Sequence, residues 1–288
     1  MSLPLQNNEI ILGFAKPNWI GSLDLVFEHD GQRTFLAKKE HYGPLVIQKT
    51  LHPEGPNICH GIVLHPPGGV AGGDTLTLTV HLNDDAKVLL TTPGAGKWYK
   101  ANKKIASQLI VLDLEMAAQL EWFPQENILF NGAHVNFNNK IKLASDSKFA
   151  TWDIVCFGRQ ASGEKWTLGE FRQGFEISRN GLLIWKESSL FKPSSPVMKS
   201  LMGLRGCEVM GNLIVAAGEI PKEILDECRK LEVSEESFCA VTALPEVFSA
   251  RYLGSSSQEA RQYFEMLWSI LRPWYGNQKS VRPRIWNT

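Results

Sequence analysis

The sequence lacks the features that mark several large classes of protein. It has no apolar run of the about 18 residues that a membrane span requires, so we expect no membrane span. The first ten residues, MSLPLQNNEI, do not place an apolar core behind a basic segment, and we therefore expect no signal peptide. The 30 basic residues equal the 30 acidic residues in number, which predicts neither a nucleic-acid partner nor an anionic membrane partner.

Two glycine-rich stretches lack the spacing of nucleotide-binding motifs. HPPGGVAGGD (65–74) does not place its glycines as G-x-G-x-x-G, and a strand pattern rather than a helix follows it. TTPGAGKWYK (91–100) contains Gly96 and Lys97 but has Trp98 where a phosphate loop needs serine or threonine. We therefore interpret HPPGGVAGGD as a sharp connection between two strands, in which glycine allows positive φ and close backbone approach.

Metal and catalytic motifs are scarce as well. The five cysteines are odd in number and form no C-x-x-C pair, which favours a reduced, cytoplasmic protein with thiols in its core. Neither H-E-x-x-H nor G-x-S-x-G occurs. Cys59, His60 and His65 are weak candidates for a transient metal site, and we predict no stable one. The alternative is that they are ordinary strand and loop residues.

The pattern that is present is that of β-strands. DTLTLTVHL (74–82) alternates leucine or valine with threonine or histidine, as a strand with one buried face does. Similar segments, separated by Gly, Asn, Asp or Pro, continue to about residue 219. We predict a mainly β fold of stacked mixed or antiparallel sheets, with a small number of α-helices in the C-terminal third and a single domain over 1–288.

Two segments carry the period of a helix. We predict one helix near 221–231, which begins with proline, and one near 256–272. The second opens with Ser256 and Glu259 at capping-box spacing, and we expect it to end before Pro273.

Several longer segments, taken in order, resemble the motifs of one family. They are LHPPGGVAGGD (64–74), LLTTPGAGKWY (89–99), LEWFPQENILFNGA (120–133), WDIVCFGRQASGE (152–164), FRQGFEISRNG (171–181), WKES (185–188), ARYLG (250–254), LWSILRP (267–273) and PRIWNT (283–288). Together they are similar to the UreD (UreH) family of urease accessory proteins over nearly the whole chain. One departure is Gly96, where the family often has threonine or serine.

The resemblance implies a scaffold in urease maturation rather than an enzyme. Such a protein binds apo-urease and the accessory protein UreF, and through UreF the GTPase UreG, in a hetero-oligomeric complex for which a dimer formed through UreF is one expected form. It holds no tightly bound cofactor and assists the delivery of Ni²⁺, which is in transit. Two other classes stay open: a metal-dependent enzyme built around Cys59, His60 and His65, and an unrelated β-rich binding module.

The family's proposed internal, water-filled tunnel suggests where polar residues could serve. An acid in an apolar strand is costly unless it is hydrated or paired, so such acids can mark a wet passage for nickel. The candidates are Asp74, Asp153, Glu187, Glu126, Thr91 and Thr92. The alternative for each acid is a structural hydrogen-bond acceptor or an ion-pair partner.

The C-terminal segment suggests a partner-binding surface. Trp268, Arg284 and Trp286 are of the residue types that anchor interfaces, and we consider them candidates for binding UreF. The alternative is that this segment packs on the protein's own sheet.

Overall fold

The structure, a computed structural model, describes residues 18–287. In chain order the strands are β1 Ile20–His29, β2 Thr34–Tyr42, β3 Val46–Ile47, β4 Ile58–Leu64, β5 Thr75–Leu82, β6 Lys87–Thr91, β7 Gly96–Trp98, β8 Ala106–Leu114, β9 Gln119–Phe123, β10 Asn127–Leu129, β11 His134–Leu143, β12 Lys148–Phe157, β13 Glu170–Arg179, β14 Leu182–Phe191, β15 Val209–Ala216, β16 Phe238–Ala243 and β17 Phe248–Gly254. The helices are α1 Lys222–Cys228 and α2 Ser257–Gly276. The mainly β fold with few helices is confirmed.

The strands form two mixed sheets. The first has seven strands in the order β14-β13-β11-β8-β5-β1-β2. The second follows the order β16-β17-β15-β12-β9-β6-β4-β3, with β10 and β7 branching from β12. From β4 to β13 the main strands alternate between the sheets, so neighbours within a sheet, such as β5 and β8 or β6 and β9, are parallel. This solenoid-like winding gives parallel pairs without helical crossovers.

The burial pattern of the strands follows from their position. In β5 every second residue is buried, as the sequence alternation predicted, because one face meets the core between the sheets and the other faces outward. In β9 all five residues are buried. This strand has the first sheet on one side and α2 on the other, so both of its faces are covered and Phe123 contacts Trp268 of the helix.

Helix α2 covers the outer face of the second sheet. It buries Phe264, Leu267 and Trp268 there, and the Ser256 hydroxyl accepts a hydrogen bond from the Glu259 backbone amide as a cap. The expected end before Pro273 is wrong, because the helix continues to Gly276. Proline removes one helical hydrogen bond, and buried side chains on both sides of it hold the last turn in place.

Two other sequence expectations meet the structure here. Helix α1 is shorter than the predicted 221–231, and Pro221 precedes it rather than opening it. Cys59, Cys156 and Cys228 are buried, and none of the five cysteines, all of which lie in 18–287, forms a disulfide. Within those residues neither helix is both long and apolar enough to span a membrane.

Candidate functional site

A cavity of about 340 Å³ lies between the two sheets at the end where β5, β8 and β11 begin. The first sheet contributes Leu78, Gln108 and Asn139 to its wall. The second sheet contributes Thr151 and Asp153 from β12. The wall therefore mixes apolar side chains with amide, hydroxyl and carboxylate groups, which can form hydrogen bonds with water or a polar solute.

The two glycine-rich stretches form one side of this cavity. The backbone amide of Val70 donates to the Lys97 carbonyl at 2.8 Å, and the Tyr99 amide donates to the Val70 carbonyl at 2.9 Å, so the stretches pair with each other. Glycine at position 69 lets the Tyr99 ring pack directly on the backbone, since a Cβ atom there would lie 2.4 Å from the ring. Gly73 has a φ of +97°. The predicted sharp connection between strands is confirmed.

Asp153 is the carboxylate that faces the cavity. Its Oδ1 atom accepts a hydrogen bond from Asn127 Nδ2 at 3.1 Å, and its Oδ2 atom accepts one from Gln173 Nε2 at 2.5 Å. Gln173 belongs to the opposite sheet, so this contact joins the two layers across the site. Trp98 Nε1 donates to Asn127 Oδ1 at 3.0 Å and thereby fixes which end of that amide points at Asp153.

The surroundings of Asp153 shift its ionisation. Burial raises the pKa of its carboxyl from 3.8 to about 6, and the hydrogen bonds from Asn127 and Gln173 lower it by less than burial raises it. At neutral pH the group is therefore an anion held inside the protein by two amides. Each carboxylate oxygen keeps a lone pair available, so Asp153 can bind a passing cation weakly.

His65 and Thr92 also line the cavity. Burial lowers the pKa of His65, and the nearby charge of Asp74 opposes that shift. A neutral imidazole can coordinate a borderline metal ion, whereas an imidazolium cannot. The Thr92 hydroxyl accepts a hydrogen bond from the Gln125 backbone amide at 2.9 Å, which orients it at the cavity wall.

Cys59, His60 and His65 do not form the metal site that their spacing suggested. Cys59 and His60 are consecutive in β4 and therefore point to opposite faces. Cys59 lies in the core, where burial raises the pKa of its thiol to about 11, and His60 Nε2 contacts Glu54 Oε1 at 2.6 Å. Only His65 reaches the cavity, so the described structure does not bring this trio together.

The other predicted acids lie elsewhere. Asp74 caps the turn before β5, because its carboxylate accepts hydrogen bonds from the backbone amides of Trp19 and Ala71, each at 2.9 Å. Glu187 forms an ion pair with Arg251 beside a shallow surface groove. Neither Asp74 nor Glu187 lines the cavity.

Glu126 is close to the cavity without lining it. Its carboxylate lies 4.0 Å from the Arg261 guanidinium, and its carbonyl accepts a hydrogen bond from the Gly96 amide at 2.8 Å. Glu126 therefore helps to hold the glycine-rich stretch that forms the wall.

The predicted partner-binding tryptophans are inside the protein. Trp268 of α2 is buried against the second sheet, and Trp286 is buried in the turn Arg284–Asn287 near the end of the chain. Trp286 Nε1 donates to Thr91 Oγ1 at 2.7 Å, and the Thr91 hydroxyl donates to the Phe123 carbonyl at 2.5 Å. The segment thus packs on the protein's own sheet, and Arg284 is the one member of the predicted set that is exposed.

A buried charge network anchors α2, and sequence reasoning missed it. Arg272, with no exposed surface, pairs with Glu121 of β9 at 2.8 Å and with Glu54 at 2.5 Å. Tyr275 and Trp268 donate to Glu121 at 2.5 and 2.8 Å. The available signal was one acid in the apolar segment QLEWF and one arginine on the buried side of a helix.

Asn127 and Gln173 were also missed. Uncharged amides in strands carry no pattern that distinguishes a buried donor to a carboxylate from a solvated side chain. Asn127 reaches Asp153 because β10 pairs with β12, and Gln173 reaches it because β13 of the opposite sheet stacks over β12.

The fold and the site define a two-sheet, solenoid-like β-protein with a cavity between its sheets, lined on one side by the two glycine-rich stretches. A family model described as UreD urease accessory protein matches residues 20–287. The chain belongs to the UreD family of urease accessory proteins, a class of accessory proteins and not of enzymes.

Individual relatives cover nearly the whole chain. It is 54% identical over 275 residues to the urease accessory protein UreD of Methylobacillus flagellatus, a match that spans 96% of each chain. It is 43% identical to that of Dechloromonas aromatica, over 94% of this chain and 96% of the relative. It is 41% identical to that of a Janthinobacterium species, over 92% of this chain and 90% of the relative.

Proposed function

We propose that this protein is a cytoplasmic scaffold of urease maturation that passes Ni²⁺ through its internal cavity. It binds apo-urease and UreF, and through UreF it joins UreG in one hetero-oligomeric complex. Family membership and the names of the relatives support the role in maturation. The observation that supports the passage is Asp153, an internal carboxylate that faces the cavity and is held by two amides.

The ligand atoms in the cavity wall suit a metal ion that must be released again. A cage of thiolates would hold Ni²⁺ tightly, whereas single oxygen and nitrogen ligands release it readily. The cavity wall offers such ligands in Asp153, His65 and Thr92, separated by apolar side chains such as Leu78. Asp153 supplies the negative charge that offsets the cost of bringing a divalent cation between the sheets.

Filling the cavity tests the passage without removing a ligand. In Gln108→Trp an indole occupies part of the cavity, and we expect urease activation to fall when the variant is co-expressed with urease, UreF and UreG. Ser107→Trp is the matched control, because the neighbouring residue of β8 points to the opposite face. Equal activation by both variants, with complex assembly confirmed by co-purification, would refute the passage.

The scaffold role has its own test. Omission of this chain alone from the co-expression should abolish urease activation and the recovery of UreF with apo-urease. If UreF and apo-urease still co-purify without it, the protein is not the scaffold that joins them.

A further inference from the structure

His81, Asp113 and Glu115 lie together on the outer face of the seven-stranded sheet. His81 of β5 pairs in register with Asp113 of β8, and Glu115 follows the last residue of β8 on the same face. The Glu115 backbone amide still donates to the Leu82 carbonyl at 2.9 Å, so the strand pairing extends past this residue. The backbone positions of all three residues are therefore fixed by sheet hydrogen bonds.

The side chains converge, and the His81 imidazole lies at the outer limit of ion-pair distance from both carboxylates. His81 Nδ1 is 4.0 Å from Asp113 Oδ2, and His81 Nε2 is 4.0 Å from Glu115 Oε1. Both distances are too long for a hydrogen bond. Within the described residues these three side chains have no hydrogen-bond partner, and their closest ligand atoms all lie within 4.8 Å of one another.

This spacing is close to that of ligands around one metal ion. Two ligand atoms each about 2.1 Å from a metal are about 3 to 4 Å apart, so small side-chain rotations would complete the geometry. One imidazole nitrogen and two carboxylate oxygens suit a borderline divalent transition metal, whereas Mg²⁺ prefers oxygen alone. A bound cation would also neutralise two carboxylates that otherwise repel each other.

We propose that His81, Asp113 and Glu115 form a surface binding site for a divalent transition-metal ion. The site is separate from the cavity, because Leu78 lines the cavity whereas His81 is three residues further along β5 and on its outer face. Three residues of a strand span about 10 Å. Among residues 18–287 no other three His, Cys, Asp or Glu side chains meet in this way. The site does not depend on the proposed nickel passage.

Nickel titration of the full chain tests the site, with Ni²⁺ alone as the probe. In NMR spectra the paramagnetic ion should broaden the ring signals of His81 first. Calorimetry should show His81→Ala losing one class of bound Ni²⁺, and Asp113→Asn and Glu115→Gln should each weaken that class at least tenfold. His41→Ala, which removes an exposed histidine from β2, is the control and should bind as the wild type does.

Two results would overturn the proposal. One is a Ni²⁺ titration of His81→Ala that equals that of the wild type, together with wild-type spectra in which Ni²⁺ leaves the ring signals of His81 unbroadened. The other is displacement of Ni²⁺ by an equal concentration of Mg²⁺, since this would show unspecific attraction to two carboxylates. Because the three side chains are partly exposed, the variants should fold as the wild type does, and thermal unfolding of each variant checks this.

Discussion

Asp153→Asn should make the protein more stable at neutral pH while it weakens the proposed function. The pKa of Asp153 is raised from 3.8 to about 6, so the folded protein binds this proton more tightly than the unfolded chain does. Between these two values stability falls as pH rises, because ionisation then disfavours the folded state. Asparagine keeps the shape of the side chain and removes the charge that burial penalises.

The size of the gain in stability follows from the size of the pKa shift. A change of 3.8 to about 6 corresponds to about 3 kcal/mol of unfolding free energy above pH 7, and to about 1 kcal/mol at pH 4.5. Aspartate accepts one hydrogen bond at each of its two oxygens, from Asn127 and from Gln173, whereas asparagine has only one oxygen. The Asn127 amide cannot turn to offer its own oxygen instead, because Trp98 donates to that oxygen. One hydrogen bond worth about 1 kcal/mol is therefore lost. We expect a net gain of about 2 kcal/mol at pH 7.5 and almost none at pH 4.5.

Urea unfolding at the two pH values measures this difference. A gain of about 2 kcal/mol should also raise the melting temperature by about 4 °C. Asp24→Asn is the control, because Asp24 is an exposed strand carboxylate, and its effect should stay within about 0.5 kcal/mol. A destabilised Asp153→Asn at pH 7.5, or an equal effect at both pH values, would refute the reasoning about burial.

Three further predictions concern the packing of the protein core. Arg272→Met leaves the buried carboxylates of Glu54 and Glu121 without their cation and should lower the unfolding free energy by about 3 to 5 kcal/mol. Urea unfolding measures this loss, and a loss below about 1 kcal/mol would contradict the prediction. Trp286→Ala should lower the unfolding free energy by about 3 to 5 kcal/mol because it leaves a cavity in the core, whereas Arg284→Ala should leave it unchanged. Similar losses for the two variants in urea unfolding would show that the segment does not pack as described. A thiol reagent at pH 8 should label Cys207 well before Cys59, because Cys59 is buried and has a pKa of about 11. Mass spectrometry of the labelled peptides measures the order of labelling. Early labelling of Cys59 would contradict its place in the core.

The sequence was sufficient for the fold class because strands such as β5 carry a clear alternation of apolar and polar residues. In β5 the outward threonines and inward leucines predict one buried face, which is what the structure has. The alternation of successive strands between two sheets depends on contacts far apart in sequence, and no local pattern encodes it. Pro273 shows the same limit, since tertiary contacts of Arg272 and Tyr275 keep the helix intact beyond it.

The candidate site was only partly predictable for a related reason. Asp153 stood out as an acid within an apolar strand, and the structure places it at the cavity. Asp74 had the same kind of signal, yet its carboxylate caps a turn, because the backbone amides of Ala71, in the same loop, and of Trp19, distant in sequence, both donate to it. Trp286 looked like an interface anchor and instead fills the protein's own core, since a sequence does not show which surface an aromatic side chain covers.

The proposed nickel passage is tested most directly by the nickel content of urease matured with Asp153→Asn. Urease should be co-expressed with UreF, UreG and either the wild-type chain or this variant, and then purified for metal analysis and activity. We predict that the variant chain co-purifies with its partners and leaves urease with clearly less nickel and lower activity than the wild type does. A full nickel content with Asp153→Asn would contradict a passage that depends on this carboxylate.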